Sequence, residues 1–238
     1  MGICHFPPRL RNESPLSDLI LVPTVMERSL LVPRLAEESR DGDYALQLCG
    51  FGCIAAAART GSLIARYRPK RVLLIGIAGS YDPSEIGIGS AVRFEQVACY
   101  GVGVGVGDQF VAASGLGWPQ FSGGDAQPEI GDLITLDSTY VSGVHSAGLL
   151  LSCCAASSSR AEAEQRLRLF PQAVAEDMEG FGVAMACALA GIPLQIVRGI
   201  SNQVGDRDPK HWRIEAAVSA AADLALRLMP RTWLPSTT

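Results

Sequence analysis

Two short runs in the last third of the chain hold residue types that could work together. Ala175-Glu176-Asp177-Met178-Glu179-Gly180 sets carboxylates beside a thioether, and Val197-Arg198-Gly199-Ile200-Ser201-Asn202 carries an arginine and ends in a hydroxyl and an amide. About one helix and one strand separate them. An acid beside an apolar thioether suits a sugar, and an amide can read the edge of a flat polar ring through hydrogen bonds. A further acid, Glu27, could hold a water for attack, provided that it lies within hydrogen-bond reach of it.

Elements able to position these groups follow from the pattern. Residues 19–22 form a short apolar run suited to a buried parallel strand, stopped by Pro23, with helical spacing from about 25 to 36. Residues 44–49 read as a second strand. The turn Gly50-Phe51-Gly52 then opens an alanine-rich helix over 53–67, which Pro69 ends. Residues 71–77 are the clearest buried strand, with Ala78-Gly79-Ser80 as the turn at its carboxyl end. Residues 89–100 read as a strand. The alternation Gly101-Val-Gly-Val-Gly-Val-Gly107 puts four glycines on one strand face and three valines on the other. It lacks the G-x-G-x-x-G spacing of a dinucleotide site and reads as a strand with one bare face lying close to another backbone or a ligand. Residues 111–131 read as a long surface loop.

Beyond them, 148–154 read as a strand, and Ser157-Ser158-Ser159 as an N-cap ahead of a helix ending near Phe170. A helix over about 178–190 stops at Gly191, and 194–200 form a strand. Asp208-Pro209 start a final long helix to about Met229. Strands alternating with helices predict an α/β fold: a single-domain three-layer sandwich on a mixed, mostly parallel central sheet. Residues 1–17 are a loose leader and 18–238 the domain. Ligands of such sheets bind beyond the carboxyl ends of the strands, where Ala78-Gly79 and Ser201-Asn202 would both emerge.

Bulk properties exclude several classes. A net charge of −4 leaves no basic footprint for nucleic acid. No apolar run approaches the roughly 20 residues that cross a bilayer. Met1-Gly2 suggests a myristoylation start, but Phe6 stands where Ser or Thr is needed. Seven cysteines, several within apolar stretches, suit buried reduced thiols of a cytoplasmic protein. His5, His145 and His211 share no metal-ligand spacing, so no metal is expected.

The motifs carry a resemblance. The run from Phe170 to Glu179, with Gly50-Phe-Gly-Cys-Ile-Ala-Ala-Ala and Ile75-Gly-Ile-Ala-Gly-Ser80, is similar to three segments of the nucleoside phosphorylase and methylthioadenosine nucleosidase superfamily. Within it, Glu176 to Gly180 and the run Arg198 to Asp208 with Trp212 resemble the futalosine hydrolases, enzymes of menaquinone biosynthesis. The resemblance covers roughly residues 18–230 and is thin between 100 and 150. It implies a nucleoside phosphorylase-like fold, a purine nucleoside substrate and no cofactor. It also implies a homo-oligomer, often with a neighbour's residues at the site.

Residue roles follow from that resemblance. Glu179 would hold the ribose 2′-hydroxyl and stabilise an oxocarbenium, although acids are favoured at helix starts in any case. Met178 would face the sugar or base, or be ordinary core. Glu27 would orient or deprotonate the water, or be a plain helical charge. Adenine-cleaving relatives carry an aspartate where this chain has Asn202, which cannot be the acid. Its amide can instead donate to the ring nitrogen and 6-oxo oxygen of hypoxanthine or guanine, or simply serve a turn. Arg198 would pair with Glu179, and Ser201 would orient Asn202. Ala78 and Gly79 would contact substrate, and Asp206 would join the base network, while Asp208 is explained as a helix cap. Arg207 and Lys210 are charge-matched to a benzoate group. Ile77, where relatives often carry Ser or Thr, favours water over phosphate as nucleophile, while Ser80 leaves a phosphate site open. The alternatives are another nucleosidase or phosphorylase of the superfamily, or an inactive purine-binding homologue.

Overall fold

Apolar runs cut by proline or glycine set the element boundaries. A computed structural model of the chain describes residues 17–38, 44–124, 127–137, 144 and 146–229. Of the expected leader only Ser17 is among them, and His5 and His145 lie outside them. In chain order the elements are β1 (Asp18–Val22), α1 (Val25–Glu38), β2 (Tyr44–Leu48), α2 (Cys53–Tyr67), β3 (Arg71–Ser80), β4 (Ala91–Tyr100), β5 (Gly103–Val104), β6 (Val111–Ala112) and β7 (Leu133–Thr135). They continue with β8 (Ser146–Cys153), α3 (Arg160–Leu169), β9 (Ala173–Asp177), α4 (Gly180–Ala190), β10 (Leu194–Gln203) and α5 (Ile214–Leu228).

Local chemistry accounts for several ends. The Ser159 side chain accepts from the Glu162 amide to cap α3. The chain leaves α2 through Arg68 in the left-handed region at φ 48°, just before Pro69. α1 starts in a reciprocal capping box, in which Thr24 Oγ1 accepts from the Glu27 amide at 3.2 Å and Glu27 Oε2 accepts from the Thr24 amide at 3.1 Å.

Among the described residues the main sheet is mixed and mostly parallel. β2, β1, β3 and β10 run in one direction, and β4, β8 and β9 in the other. β7 lies antiparallel on β4. The sheet also closes on itself. β9 pairs antiparallel with the end of β3 (Gly79 with Glu176, Ser80 with Ala175), joining β3, β10, β4, β8 and β9 into a ring. Helices pack on both faces of the sheet at β1 and β3, whereas the closure into a ring departs from the open sheet of the expected three-layer sandwich. Leu19, Leu21, Val72 and Leu74 pack with buried residues of α2 and α4, whereas Ile20, Val22, Leu73 and Ile75 pack with those of α1 and α5. Alternate residues of a strand face opposite sides, so a continuous apolar run serves both layers.

Several expectations change. β3 continues through Ala78-Gly79-Ser80, expected as a turn, because β9 and β10 pair with them. β10 likewise runs past Ile200 to Gln203, with a register shift between Ile200 and Asn202. β9 and β7 were not expected. The final helix begins at Ile214, and Asp208-Pro209 instead open a short 3-10 turn over Pro209–His211.

The Gly-Val run is no strand with one bare face. Gly101, Gly103, Gly105 and Gly107 all have positive φ, and only Gly103–Val104 pairs, with Val111–Ala112 in a small hairpin. The period of two records alternate left-handed positions, which glycine adopts without a Cβ penalty.

Candidate active site

The acidic end of the site is built where β9 runs into α4. Asp177 ends the strand, Met178 follows, and Glu179 stands at the N-cap of α4. Asp177 Oδ1 accepts from Ser152 Oγ at 2.5 Å, and Oδ2 accepts from the Gly180 amide at 2.9 Å. The same Oδ2 accepts from Arg198 Nε at 3.0 Å and also from its Nη2. Arg198, fully buried on β10, therefore pairs chiefly with Asp177. Glu179, the expected partner, is 3.5 Å from Nη2. Asp177 takes the closer position because the strand end delivers it in line with the guanidinium.

Glu179 is buried, and its Oε1 accepts from the Gly52 amide at 2.9 Å. The expected turn at 50–52 thus serves as its donor. Burial pushes the Glu179 carboxyl up to about 7, with Asp177 adding to the rise and Arg198 and the Gly52 amide opposing it. Burial alone would draw Arg198 down, but Asp177, Glu179 and Glu27 around it hold it above its ordinary value.

Glu27 is also buried, and β3 brings a donor to it: the Ile77 amide gives to Oε1 at 3.0 Å. Its Oε2 takes the Thr24 hydroxyl at 2.5 Å. Gly76 makes this approach possible. A Cβ there would lie 2.1 Å from Arg198 Nη1 and 2.8 Å from Glu27 Oε1. Nη1 itself is buried with no hydrogen-bond partner among the described residues.

At the end of β10, Ser201 Oγ donates to Asn202 Oδ1 at 2.7 Å. Asn202 Nδ2 donates to the Gln203 carbonyl at 2.8 Å and lies 3.5 Å from the Asp206 carbonyl. Carbonyls only accept, so the amide orientation is set. Nδ2 thus meets two backbone carbonyls, firmly at Gln203 and at full stretch at Asp206, so a ligand can take an N–H only by displacing the longer contact, where the sequence suggested two free donors. Asp206 does not line the cavity: its carboxylate takes the Asp208 amide at 2.9 Å and faces His211 Nδ1 at 2.7 Å, which braces the loop.

These groups surround one cavity of about 310 Å³. Pro23, Thr24, Met26, Glu27 and Phe51 form one part of its wall, Ile77, Ala78 and Gly79 another, and Glu176 to Glu179 a third. Ser201, Asn202, Val204, Gly205, Arg207 and Trp212 complete it with Ala156 and Ser157. The volume is that of a small-molecule site. The arrangement offers four carboxylates, of which Glu176 and Asp177 are taken up by bracing contacts, and an amide around a pocket partly lined by apolar side chains. Ser80 is fully buried in β3 and outside the lining, so its hydroxyl is not presented to an anion there. Lys210 lies outside the lining too, whereas Arg207 is part of it.

The chain matches the phosphorylase superfamily over residues 35–231. The chain belongs to that superfamily. It is 31% identical over 166 residues to a futalosine hydrolase of Streptomyces coelicolor, covering 69% of this chain and 68% of that protein. Two solved structures share the fold. One is a 5′-methylthioadenosine/S-adenosylhomocysteine nucleosidase of Colwellia psychrerythraea in complex with adenine (TM-score 0.70, 19% identity, covering 90% of this chain and 95% of that one). The other is futalosine hydrolase of Helicobacter pylori (TM-score 0.69, 18% identity, covering 90% and 97%).

In this member of the phosphorylase superfamily, sequence reasoning missed Thr24, Ser152, Glu176 and Asp177 as parts of the wall or its bracing. Two signals could have found them. Thr24-Val-Met-Glu27 is a capping-box spacing that ties Glu27 to the helix start. Ala173-Val-Ala-Glu-Asp177 is short enough for a strand whose end would deliver an acid. Glu176 has a structural role. It accepts from the Ser157 amide and hydroxyl (2.7 Å each), from Tyr81 Oη (2.8 Å) and from Arg166 Nη1 (3.0 Å).

Proposed function

We propose that this chain is a nucleosidase that hydrolyses the N-glycosidic bond of futalosine and releases hypoxanthine, a step of menaquinone biosynthesis. The observation that carries the reading is the Ser201-held amide of Asn202 in the same cavity as Glu27 and Glu179. The relative named futalosine hydrolase supports the same substrate.

In this reading Glu179 accepts the ribose 2′-hydroxyl and stabilises the positive charge that develops at C1′. Glu27 takes a proton from the attacking water. The water oxygen bonds to C1′ as the C1′–N9 bond breaks, the bonding pair leaves with the base, and the base takes up a proton from solvent to become hypoxanthine while Glu27 returns its own. Asn202 turns the N–H that meets the Asp206 carbonyl at 3.5 Å towards the electron-rich base, whose ring nitrogen and 6-oxo oxygen both accept. An adenine 6-amino group would bring a donor towards that donor, and mismatched buried polar groups discriminate strongly. Met178, Ala78 and Gly79 supply surface for the sugar and base. Arg198 and Asp177 fix the acids around them.

The reading extends to a cytoplasmic homo-oligomer. Exposed Val25, Met26, Phe51 and Ile54 lie at or beside the cavity wall and suit burial against another copy. Among the described residues, no helix is long and apolar enough to cross a membrane.

Incubation with futalosine, inosine and methylthioadenosine in phosphate-free buffer, with the free bases quantified, tests the reading. Hypoxanthine from futalosine is expected. Base release only in the presence of phosphate would make the chain a phosphorylase, and adenine from methylthioadenosine without turnover of futalosine would overturn the substrate.

A further inference from the structure

The charge distribution around the cavity is uneven. Four acids, Glu27, Glu176, Asp177 and Glu179, contribute to its lining, and Arg207 is the single cation among the described lining residues. The buried Arg198 behind the wall is already engaged with Asp177 and Glu179. A substrate bearing a carboxylate would be repelled by the acidic wall and has one place to put its charge.

Arg207 is held ready for it. Its guanidinium lies 5.0 Å from the centroid of the Trp212 ring, itself part of the lining. The Trp212 indole donates to the Asp206 carbonyl at 3.2 Å, which fixes the ring. The neighbouring Asp206 carboxylate is taken by the Asp208 amide and by His211. Gly205, at φ 84°, lies so close to the Ser159 backbone that a Cβ would come within 2.6 Å of it, so the loop is braced from behind. A guanidinium stacked on an aromatic face keeps its fork of donors free for a planar carboxylate.

We infer that Arg207, seated on Trp212, is the specificity residue that binds the benzoate carboxylate of the substrate. The inference rests on the futalosine reading and adds the group that recognises the anionic end. It excludes Lys210, which lies outside the lining.

The test compares wild type, Arg207→Met and Arg207→Lys in phosphate-free buffer. The substrates are futalosine, its benzoate methyl ester and inosine, with kcat and KM measured from hypoxanthine release. A charge-assisted hydrogen bond predicts that Arg207→Met raises KM for futalosine about tenfold or more, with kcat within about twofold. Wild type should show a similar penalty on the ester, and Arg207→Met should no longer tell acid from ester. Inosine kinetics should be unchanged by either variant, and Arg207→Lys should recover part of the loss. Equal use of acid and ester by wild type, or an equal change on inosine and futalosine in Arg207→Met, overturns the inference while leaving futalosine as substrate. No hypoxanthine from futalosine with wild type overturns the substrate reading itself, and this inference with it.

Discussion

The acid cluster at the ends of β3, β9 and β10 and the hairpin region over 101–118 both depend on glycine, but in surroundings of opposite burial. At Gly76 the missing side chain makes room for Arg198 and Glu27. At Gly105 it permits φ 87° and clears the Gln109 carbonyl, 2.4 Å from where a Cβ would stand, in a turn whose neighbours Val104 and Val106 are exposed. In the first region buried charges are cross-braced from three strands, so a change at one residue leaves a partner stranded in low dielectric. In the second, Val104 and Val106 meet water and their substitution is cheap, although Phe110 and Ala113 beside them are buried. Burial and pairing, not residue type, decide how much a position matters.

That contrast can be broken most severely at Asp177. Asp177→Asn strips Arg198 of its main partner, and losing one member of a buried pair costs about 3–5 kcal/mol. Thermal unfolding should show a fall in Tm of roughly 10 °C. A variant with wild-type Tm would mean that Glu179 alone satisfies the guanidinium.

Glu179→Gln should separate chemistry from stability within the same cluster. Loss of one charge-stabilising group lowers kcat by about 10²–10³-fold, with Tm at neutral pH near the wild-type value. Near-normal turnover removes Glu179 from the proposed mechanism.

Its titration gives a finer probe. The carboxyl is raised to about 7, so its carboxylate form, which the mechanism requires, grows in as pH rises through that value. Wild-type kcat/KM should therefore show an acid limb near pH 7 that is absent from the residual activity of Glu179→Gln. Stability runs the other way. A folded-state pKa above the unfolded value of about 4.3 gives a contribution that is full below that value and lost as pH rises through the folded one. Wild type should lose more stability than Glu179→Gln between pH 5 and 8, and parallel stability profiles would contradict the burial argument.

The smallest effect belongs to the hairpin. Val106→Ser should shift stability by no more than about 0.5 kcal/mol. A larger loss, together with dissociation in light scattering, would show that this face is covered by another copy.

The sequence by itself determined the local items. The short apolar runs, proline stops and a serine cap set β1, β2, α2 and α3 nearly to the residue, because those signals act within a few residues. It also placed Glu27, Met178, Glu179, Ser201 and Asn202 in view, and the structure brings all five to one cavity. Only the tertiary structure decided that Arg198 chooses Asp177, that β9 closes the ring onto β3, and that backbone carbonyls of Gln203 and Asp206 meet the Asn202 amide. It likewise placed Arg207 on the wall and Asp206 off it. Each of these outcomes is a competition between groups far apart in the chain for the same hydrogen bonds. The winner depends on which strand ends meet in space, and no local spacing records that.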